Sequence, residues 1–149
     1  MALVIFGSEW DWVSRRTKVL KALIVEDNRL NRETLQGLFM RHFPSIIVEE
    51  ASNGKEATQK VKAFHPDLIL MDIQLPDASG LELTREIKMT NPDTRVLILT
   101  GHHYPEYREA AAQYGADGFL VKGGSSKEII TMVESFFLKA EGSTIAEKK

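Results

Sequence analysis

The sequence predicts one α/β domain made of five strand–helix units, with a doubly wound parallel sheet of five strands. Two observations predict this fold. Short apolar runs alternate with amphipathic segments from residue 18 onward, and the links between them are short. Strands and helices that alternate in this way form a parallel sheet covered by helices on both faces. The length of 149 residues suits one such domain rather than two.

Five apolar runs are the predicted strands. The clearest is DLILM, which is apolar without alternation, as expected of a parallel strand that is covered on both faces. The predicted strands are residues 18–25, 46–50, 67–71, 95–99 and 118–121. In the common strand order 2-1-3-4-5 of such sheets, the second strand lies at an edge, away from the ligand site.

Five segments with apolar residues at helical spacing follow these strands. The predicted helices are residues 28–42, 53–64, 81–89, 105–114 and 125–139. Asn53, Ser79 and Ser125 stand at helix starts and have a glutamate three residues later, which is the pattern of a capping box. The first helix carries Leu30, Leu35, Leu38 and Phe39 as its predicted apolar stripe.

The alternating pattern divides the chain into three parts. Residues 1–17 form an N-terminal extension that contains Trp10 and Trp12, residues 18–140 form the domain, and residues 141–149 form a C-terminal tail. Because nine residues follow the domain, we expect either a single-domain protein or a fragment of a longer one.

Composition and charge exclude several functions. The formal net charge of −2 gives no general attraction to nucleic acid or to anionic membranes, and no basic patch stands out. The absence of cysteine excludes disulfides and thiol chemistry. No apolar run approaches the roughly 20 residues that span a bilayer, and the apolar start MALVIFG lacks the basic residues of a signal peptide. We therefore expect a cytoplasmic domain that binds neither membranes nor nucleic acid directly.

Polar side chains stand at the carboxyl ends of four predicted strands, where open parallel sheets bind their ligands. Glu26 and Asp27 follow the first strand, and Asp72 follows the third. Thr100 follows the fourth strand and Lys122 follows the fifth. Since these strand ends meet at one edge of the sheet, the five side chains are expected to converge.

This set of residues combines a cation site with an anion site. Three carboxylates held together repel one another unless a cation neutralises them. All-oxygen ligands that leave room for water suit Mg²⁺. Thr100 and Lys122 can instead bind an anion, so a phosphoryl group fits between the metal and the lysine. Asp72 can then act as a nucleophile and form an acyl phosphate.

Four segments in order resemble the receiver domain of two-component response regulators, of which the chemotaxis regulator is one. These are VEDN at 25–28, MDIQLP at 71–76 with Gly80 following, LTG at 99–101, and GADGFLVK at 115–122. The resemblance covers about residues 18–140 and implies a flavodoxin-like fold. It also implies a phosphoprotein of a phosphorelay rather than an enzyme, since such a domain catalyses only its own phosphorylation and dephosphorylation.

The resemblance assigns a role to each site residue. Asp72 receives the phosphoryl group from a sensor histidine kinase or a phosphotransfer protein, and Lys122 pairs with its oxygens. Mg²⁺ is held by Glu26, Asp27, Asp72 and the main-chain carbonyl of Gln74. The domain then switches conformation to control a partner or an output domain.

The resemblance also implies which residues switch the conformation and which tune the lifetime of the phosphoryl group. Thr100 turns toward the phosphoryl group, and Phe119 then rotates inward, although Phe119 could instead be an ordinary core aromatic. Gln74 and His102 stand where the family tunes the lifetime of the phosphoryl group, and Gly101 stands where bulk would block it. Residues 103–139 form the face on which partners, or a second copy in a phosphorylation-dependent homodimer, are expected to bind.

The sequence departs from the family at one point and leaves two alternatives. Gly123 and Gly124 follow Lys122, where the family has a cis-proline; a cis bond without proline costs about 2.5–4 kcal/mol, so a trans bond or a mobile loop is expected. A haloacid dehalogenase-like phosphatase also uses an aspartate, Mg²⁺ and a lysine, but it needs a second aspartate where Gln74 stands. A degenerate receiver that only binds partners would lack part of the acidic set or the lysine.

Overall fold

The structure is a computed structural model that describes the backbone of residues 18–147 and the side chains of residues 18–137. The predicted N-terminal extension, residues 1–17 with Trp10 and Trp12, lies outside the described residues. The strands are β1 (Lys21–Val25), β2 (Ile47–Ala51), β3 (Leu68–Met71), β4 (Arg95–Thr100) and β5 (Gly118–Val121). The helices are α1 (Arg29–His42), α2 (Gly54–Phe64), α3 (Gly80–Thr90), α4 (Pro105–Gln113) and α5 (Ser126–Glu147).

The five strands form one parallel sheet in the order β2-β1-β3-β4-β5, which confirms the predicted topology. Val25 at the end of β1 lies opposite Met71 at the end of β3 and opposite Ala51 of β2. At the other side of the sheet, Thr100 lies opposite Val121. This register brings the residues that follow β1, β3, β4 and β5 to the same edge.

Both faces of the sheet are covered, as the continuous apolar character of β3 predicts. Leu23, Ile69 and Ile98 point toward one layer, which contains the buried residues of α2, α3 and α4. Ile24 and Leu70 point toward the other layer, which contains those of α1 and α5. Each fully buried side chain of this size contributes about 1.5–3 kcal/mol relative to an exposed one, so the central strands anchor the domain.

The predicted helix caps are present, although the capping boxes are incomplete. The side chain of Asn53 accepts the N–H of Glu56 at 2.8 Å, and the hydroxyl of Ser79 accepts the N–H of Leu81 at 3.2 Å. The side chain of Glu56 instead accepts the N–H of Ser52 at 2.7 Å, one residue before the cap. The caps therefore fix the helix starts.

Two predictions about the helices were wrong. Helix α5 continues to Glu147 rather than ending at Lys139, because no proline follows and each further residue of a formed helix gains a hydrogen bond at little cost. Leu30 is 71% exposed. It stands five positions before Leu35, about 140° around the helix, and so lies off the face that packs on the sheet.

Among residues 18–147, no helix combines the length with the apolar character that a bilayer-spanning helix requires.

Candidate functional site

The carboxyl edge of the sheet contains an open cleft of about 400 Å³. Seven residues singled out by the sequence line it: Glu26, Asp27, Asp72, Gln74, Gly101, His102 and Lys122. Thr100 lies behind them and is fully buried. The structure therefore brings together the side chains that the strand ends predicted.

The three acidic residues form one cluster. Glu26, Asp27 and Asp72 each offer a carboxylate oxygen, and these oxygens lie within 4.8 Å of one another. Glu26 and Asp72 are buried, whereas Asp27 is exposed. A set of three oxygens open to water on one side fits a hard divalent cation such as Mg²⁺, which keeps several of its waters.

Lys122 neutralises part of this cluster. Its ammonium group forms ion pairs with Glu26 and, at 3.2 Å, with the Oδ2 atom of Asp72. Burial acts to lower the pKa of Lys122, but the hydrogen bond to Glu26 and the negative charges of Asp72 and Glu26 outweigh it and raise this pKa above its usual value. Lys122 is therefore a cation held against two acids, at the place where an anion would bind.

Both oxygens of Glu26 are firmly engaged, whereas one oxygen of Asp72 accepts only a long hydrogen bond. Oε1 of Glu26 pairs with Lys122, and Oε2 accepts the N–H of Asn28 at 3.1 Å. Asn28 itself caps α1 by accepting the N–H of Asn31 at 2.9 Å. In Asp72, Oδ1 accepts only a long hydrogen bond of 3.4 Å from the N–H of Gln74.

Thr100, His102 and Gln74 form a chain of contacts. The hydroxyl oxygen of Thr100 accepts the N–H of His102 at 3.2 Å. The imidazole Nε2 of His102 lies 3.1 Å from the side-chain oxygen of Gln74, and its ring stacks on Tyr104 with centroids 5.7 Å apart. Gln74 and His102 therefore meet across the mouth of the cleft, which their separation by 28 residues in the sequence did not reveal.

Phe119 lies in the core. It is 9% exposed, and the guanidinium of Arg108 lies over its ring, 4.6 Å from the centroid. Since Phe119 already points inward, the expected inward rotation cannot start from this conformation.

The glycines near the site have different reasons for being there. The Lys122–Gly123 peptide is trans, as expected, and Gly123 has a φ of 91°, a left-handed conformation that glycine adopts without strain. A Cβ atom at Gly101 would meet nothing within 4 Å, so space beside Thr100 is open. A Cβ atom at Gly80 would lie 1.9 Å from the main-chain oxygen of Asp72, so α3 can begin beside the acid only with glycine.

Asp77 is a structural residue that sequence reasoning missed. Its carboxylate accepts the N–H of Gly54 at 2.7 Å and that of Lys55 at 3.0 Å, which ties the turn after β3 to the start of α2. The hydrogen bond from Gly54 is the main cause that holds the pKa of Asp77 below its usual value. No local pattern could reveal this contact, because its partners lie 22 and 23 residues away.

Comparisons with known proteins identify the family of this domain. The model of the response regulator receiver domain family matches residues 22–134, and the chain belongs to that family. The general function of the family is to accept a phosphoryl group and to switch conformation. The match decides against the phosphatase alternative.

The relatives include regulators of transcription. The chain is 36% identical over 115 residues to the transcriptional regulatory protein YdfI of Bacillus subtilis (strain 168), covering 77% of this chain and 54% of that protein. It is 30% identical over 115 residues to the transcriptional regulatory protein DegU of Brevibacillus brevis, covering 77% of this chain and 49% of that protein. The chain thus spans about half the length of these relatives.

Solved structures share the fold. A receiver domain protein (CheY-like) from Methanospirillum hungatei JF-1 has a TM-score of 0.77 and 23% identity, covering 85% of this chain and 99% of the other. A two-component response regulator of the LuxR family from Aurantimonas sp. SI85-9A1 has a TM-score of 0.75 and 28% identity, covering 82% of this chain and 87% of the other. The flavodoxin-like fold class is confirmed.

Proposed function

We propose that Asp72 is the residue that accepts the phosphoryl group. The observation that carries this assignment is that one oxygen of Asp72 accepts only a long hydrogen bond, while the residue belongs to the acidic cluster and pairs with Lys122. Glu26 also contacts Lys122, but both of its oxygens are engaged. Asp27 is exposed, and within the described part of the chain it forms no ion pair with Lys122.

The proposed donor is a phosphohistidine of a sensor histidine kinase or of a phosphotransfer protein. A carboxylate oxygen of Asp72 attacks the phosphorus atom, an O–P bond forms and the P–N bond breaks. The departing imidazole nitrogen takes the electron pair and then a proton. Lys122 follows the developing charge by moving from the carboxylates to the phosphoryl oxygens. The signal ends when water attacks the same phosphorus atom: the bond between phosphorus and the Asp72 oxygen breaks, inorganic phosphate leaves, and the carboxylate is restored.

Glu26, Asp27, Asp72 and the main-chain carbonyl of Gln74 are the proposed ligands of Mg²⁺. When bound, Mg²⁺ supplies the positive charge that offsets the three carboxylates and the phosphoryl oxygens. The open side of the cleft leaves room for the water ligands that this ion retains.

Thr100 is proposed to report the phosphorylation. Its hydroxyl oxygen now accepts the N–H of His102 at 3.2 Å. In this proposal the side chain turns so that the hydroxyl donates to a phosphoryl oxygen, and the N–H of His102 is released. His102 and Gln74 together stand at the mouth of the cleft. We expect this pair to slow the approach of water and so to lengthen the lifetime of the acyl phosphate.

The partners follow from the same assignment. A kinase or phosphotransfer protein supplies the phosphoryl group, and residues 103–139 bind the target of the switched domain. That target is an output domain, another protein or a second copy of this chain in a phosphorylation-dependent homodimer. The domain itself makes no direct contact with nucleic acid in this proposal and acts through its target.

The acceptor can be tested by mass spectrometry. The protein is incubated with acetyl phosphate and Mg²⁺, and the intact mass is measured. We expect the wild type and the control Asp93→Asn, which changes an exposed acid away from the cleft, to gain one phosphoryl group. Asp72→Asn should gain none, and excess EDTA should prevent the gain in every variant. Full phosphorylation of Asp72→Asn would contradict the assignment.

A further inference from the structure

Arg32 holds the turn that carries two of the acidic residues. Its Nη1 atom donates to the main-chain oxygen of Glu26 at 2.9 Å and to that of Asp27 at 3.0 Å. Its Nε atom donates to Glu50 of β2 at 2.9 Å. The side chain of Arg32 is only 18% exposed, and Glu50 is also held by Gln36 at 2.5 Å.

The contact matters most for Asp27. On one side of it, the N–H of Glu26 is fixed by the carbonyl of Ala51 at 3.0 Å, and on the other side Asn28 caps α1. Within the described residues, the hydrogen bond from Arg32 is the only one in which Asp27 takes part. Without it, the peptide plane after Asp27 would be held, among the hydrogen bonds of the described residues, by the N–H of Asn28, which donates to Oε2 of Glu26 at 3.1 Å. The carbonyl of Asp27 would be released, and the plane could then tilt and shift the exposed carboxylate relative to Glu26 and Asp72.

We propose that Arg32 is a positioning residue for the cation site, which acts by fixing the two carbonyls and thereby the orientation of Glu26 and Asp27. The inference rests on the proposed function, because it concerns the cation that Asp72 needs. A guanidinium suits this task since its donors are arranged in a rigid fork, so one end can hold two carbonyls while Nε stays anchored on Glu50. A lysine ammonium is a point charge and cannot hold the same acceptors in one fixed geometry.

Charge and positioning make opposite predictions. Arg32 is a cation near the acidic cluster, so by charge alone its removal should tighten the binding of another cation. If Arg32 instead positions the ligands, its removal should weaken that binding. The sign of the change therefore separates the two roles.

The experiment titrates the full chain with Mn²⁺ and follows the electron paramagnetic resonance signal of free Mn²⁺. We expect Arg32→Ala to bind Mn²⁺ about ten-fold more weakly, as is usual when a group that orients a metal ligand is lost. Arg32→Lys, which keeps the charge, should also bind more weakly. The control is Arg29→Ala, on the same helix, which removes an equal charge from an exposed ion pair with Glu33 and should leave binding unchanged.

The outcomes distinguish this inference from the proposed function. Unchanged or tighter binding by Arg32→Ala, with a wild-type circular dichroism spectrum, would overturn the positioning role. If Arg32→Ala does not fold, the result for Arg32→Lys decides. Binding of Mn²⁺ by Arg32→Lys at wild-type strength would then overturn the inference. If Asp27→Ala binds Mn²⁺ as the wild type does, the proposed cation site itself is wrong.

Discussion

Glu26 and Asp72 are carboxylates with 2% and 7% exposure, and Lys122 is the cation that compensates their burial. A buried charge is costly unless it is paired and hydrogen-bonded. In the absence of a divalent cation, the pairing with Lys122 therefore supports the folded state as well as preparing the anion site.

Replacing Lys122 should destabilise the metal-free protein. We expect Lys122→Met to lower the free energy of unfolding by about 1–3 kcal/mol at neutral pH, because two buried acids lose their partner. The control Lys127→Met changes an exposed lysine of α5 and should stay within about 0.5 kcal/mol of the wild type. Urea denaturation in EDTA measures both, and equal stabilities of the two variants would contradict the compensating role.

The pairing of Lys122 with Glu26 and Asp72 also makes the stability of the protein depend on pH, in a direction that the shifted pKa fixes. The pKa of Lys122 is raised in the folded state, so its contribution is fully present below the unfolded value of 10.5 and is lost as pH rises through the higher folded value. On the alkaline side of neutral pH, the wild type should therefore keep its advantage over Lys122→Met until that window is reached. An advantage that instead disappears between neutral pH and the unfolded value would show that the ion pair is not its source.

At the scale of the elements, the passage from β3 to α3 shows how local sequence shapes the site. Gly80 lets the first turn of α3 pack directly on the main chain of Asp72, and the N–H of Gly80 donates to the carbonyl of Ile73 at 2.7 Å. Asp77 ties the same turn to α2. The backbone that carries Asp72 is therefore packed against α3, and the turn that follows it is tied to α2 by the carboxylate of Asp77.

Alanine at two glycines should have opposite effects. At Gly80 a Cβ atom would overlap the oxygen of Asp72, and forcing atoms into packed space costs about 1–3 kcal/mol. At Gly37, inside α1, a Cβ atom would approach only the movable end of Arg41 at 3.3 Å. Gly37→Ala should therefore stabilise the protein by about 0.5–1 kcal/mol. Urea denaturation of both variants checks this, and a neutral Gly80→Ala would contradict the close packing.

The elements themselves were largely predictable from the sequence, because their signals are local. Apolar runs such as that of β3 and caps such as Asn53 lie within a few residues of the element they define. Contacts between distant segments were not predictable. Arg32 reaches Glu50 over 18 residues, and His102 reaches Gln74 over 28. The strand-end rule gathered the acids, Thr100 and Lys122 because it is a rule about topology, but it says nothing about which groups orient them.

At the scale of the whole molecule, the helices are anchored unequally. Helix α1 buries Leu35, Leu38 and Phe39, whereas α4 buries only Ala111 and has no side-chain cap at its start. Helix α4 therefore loses less buried apolar area than α1 when it moves, so it is the less costly of these two helices to displace. It also follows directly on the loop that begins after Thr100 and contains His102.

This difference leads to a prediction about how phosphorylation spreads. A switch requires that the phosphoryl group favour one of two conformations. If Thr100 turns to the phosphoryl group, the N–H of His102 loses its acceptor and the stacked Tyr104, which is 48% exposed, loses its support. Since Phe119 is already inward, the change should centre on the loop and on α4. Partners or a second copy should then bind residues 103–139 more tightly.

Amide hydrogen exchange with and without beryllofluoride, a mimic of the phosphoryl group, measures this directly. In the presence of Mg²⁺, protection should change at His102 and through α4, while the deeply anchored α1 stays unchanged and serves as the internal reference. Asp72→Asn should show no change, because it cannot hold the mimic as the wild type does. Changes that stay around Asp72 and never reach residues 103–139 would show that the loosely anchored helix is not the element that the site controls. Equal changes in α1 and α4 would show instead that the whole domain tightens, in which case unequal anchoring would not direct the signal.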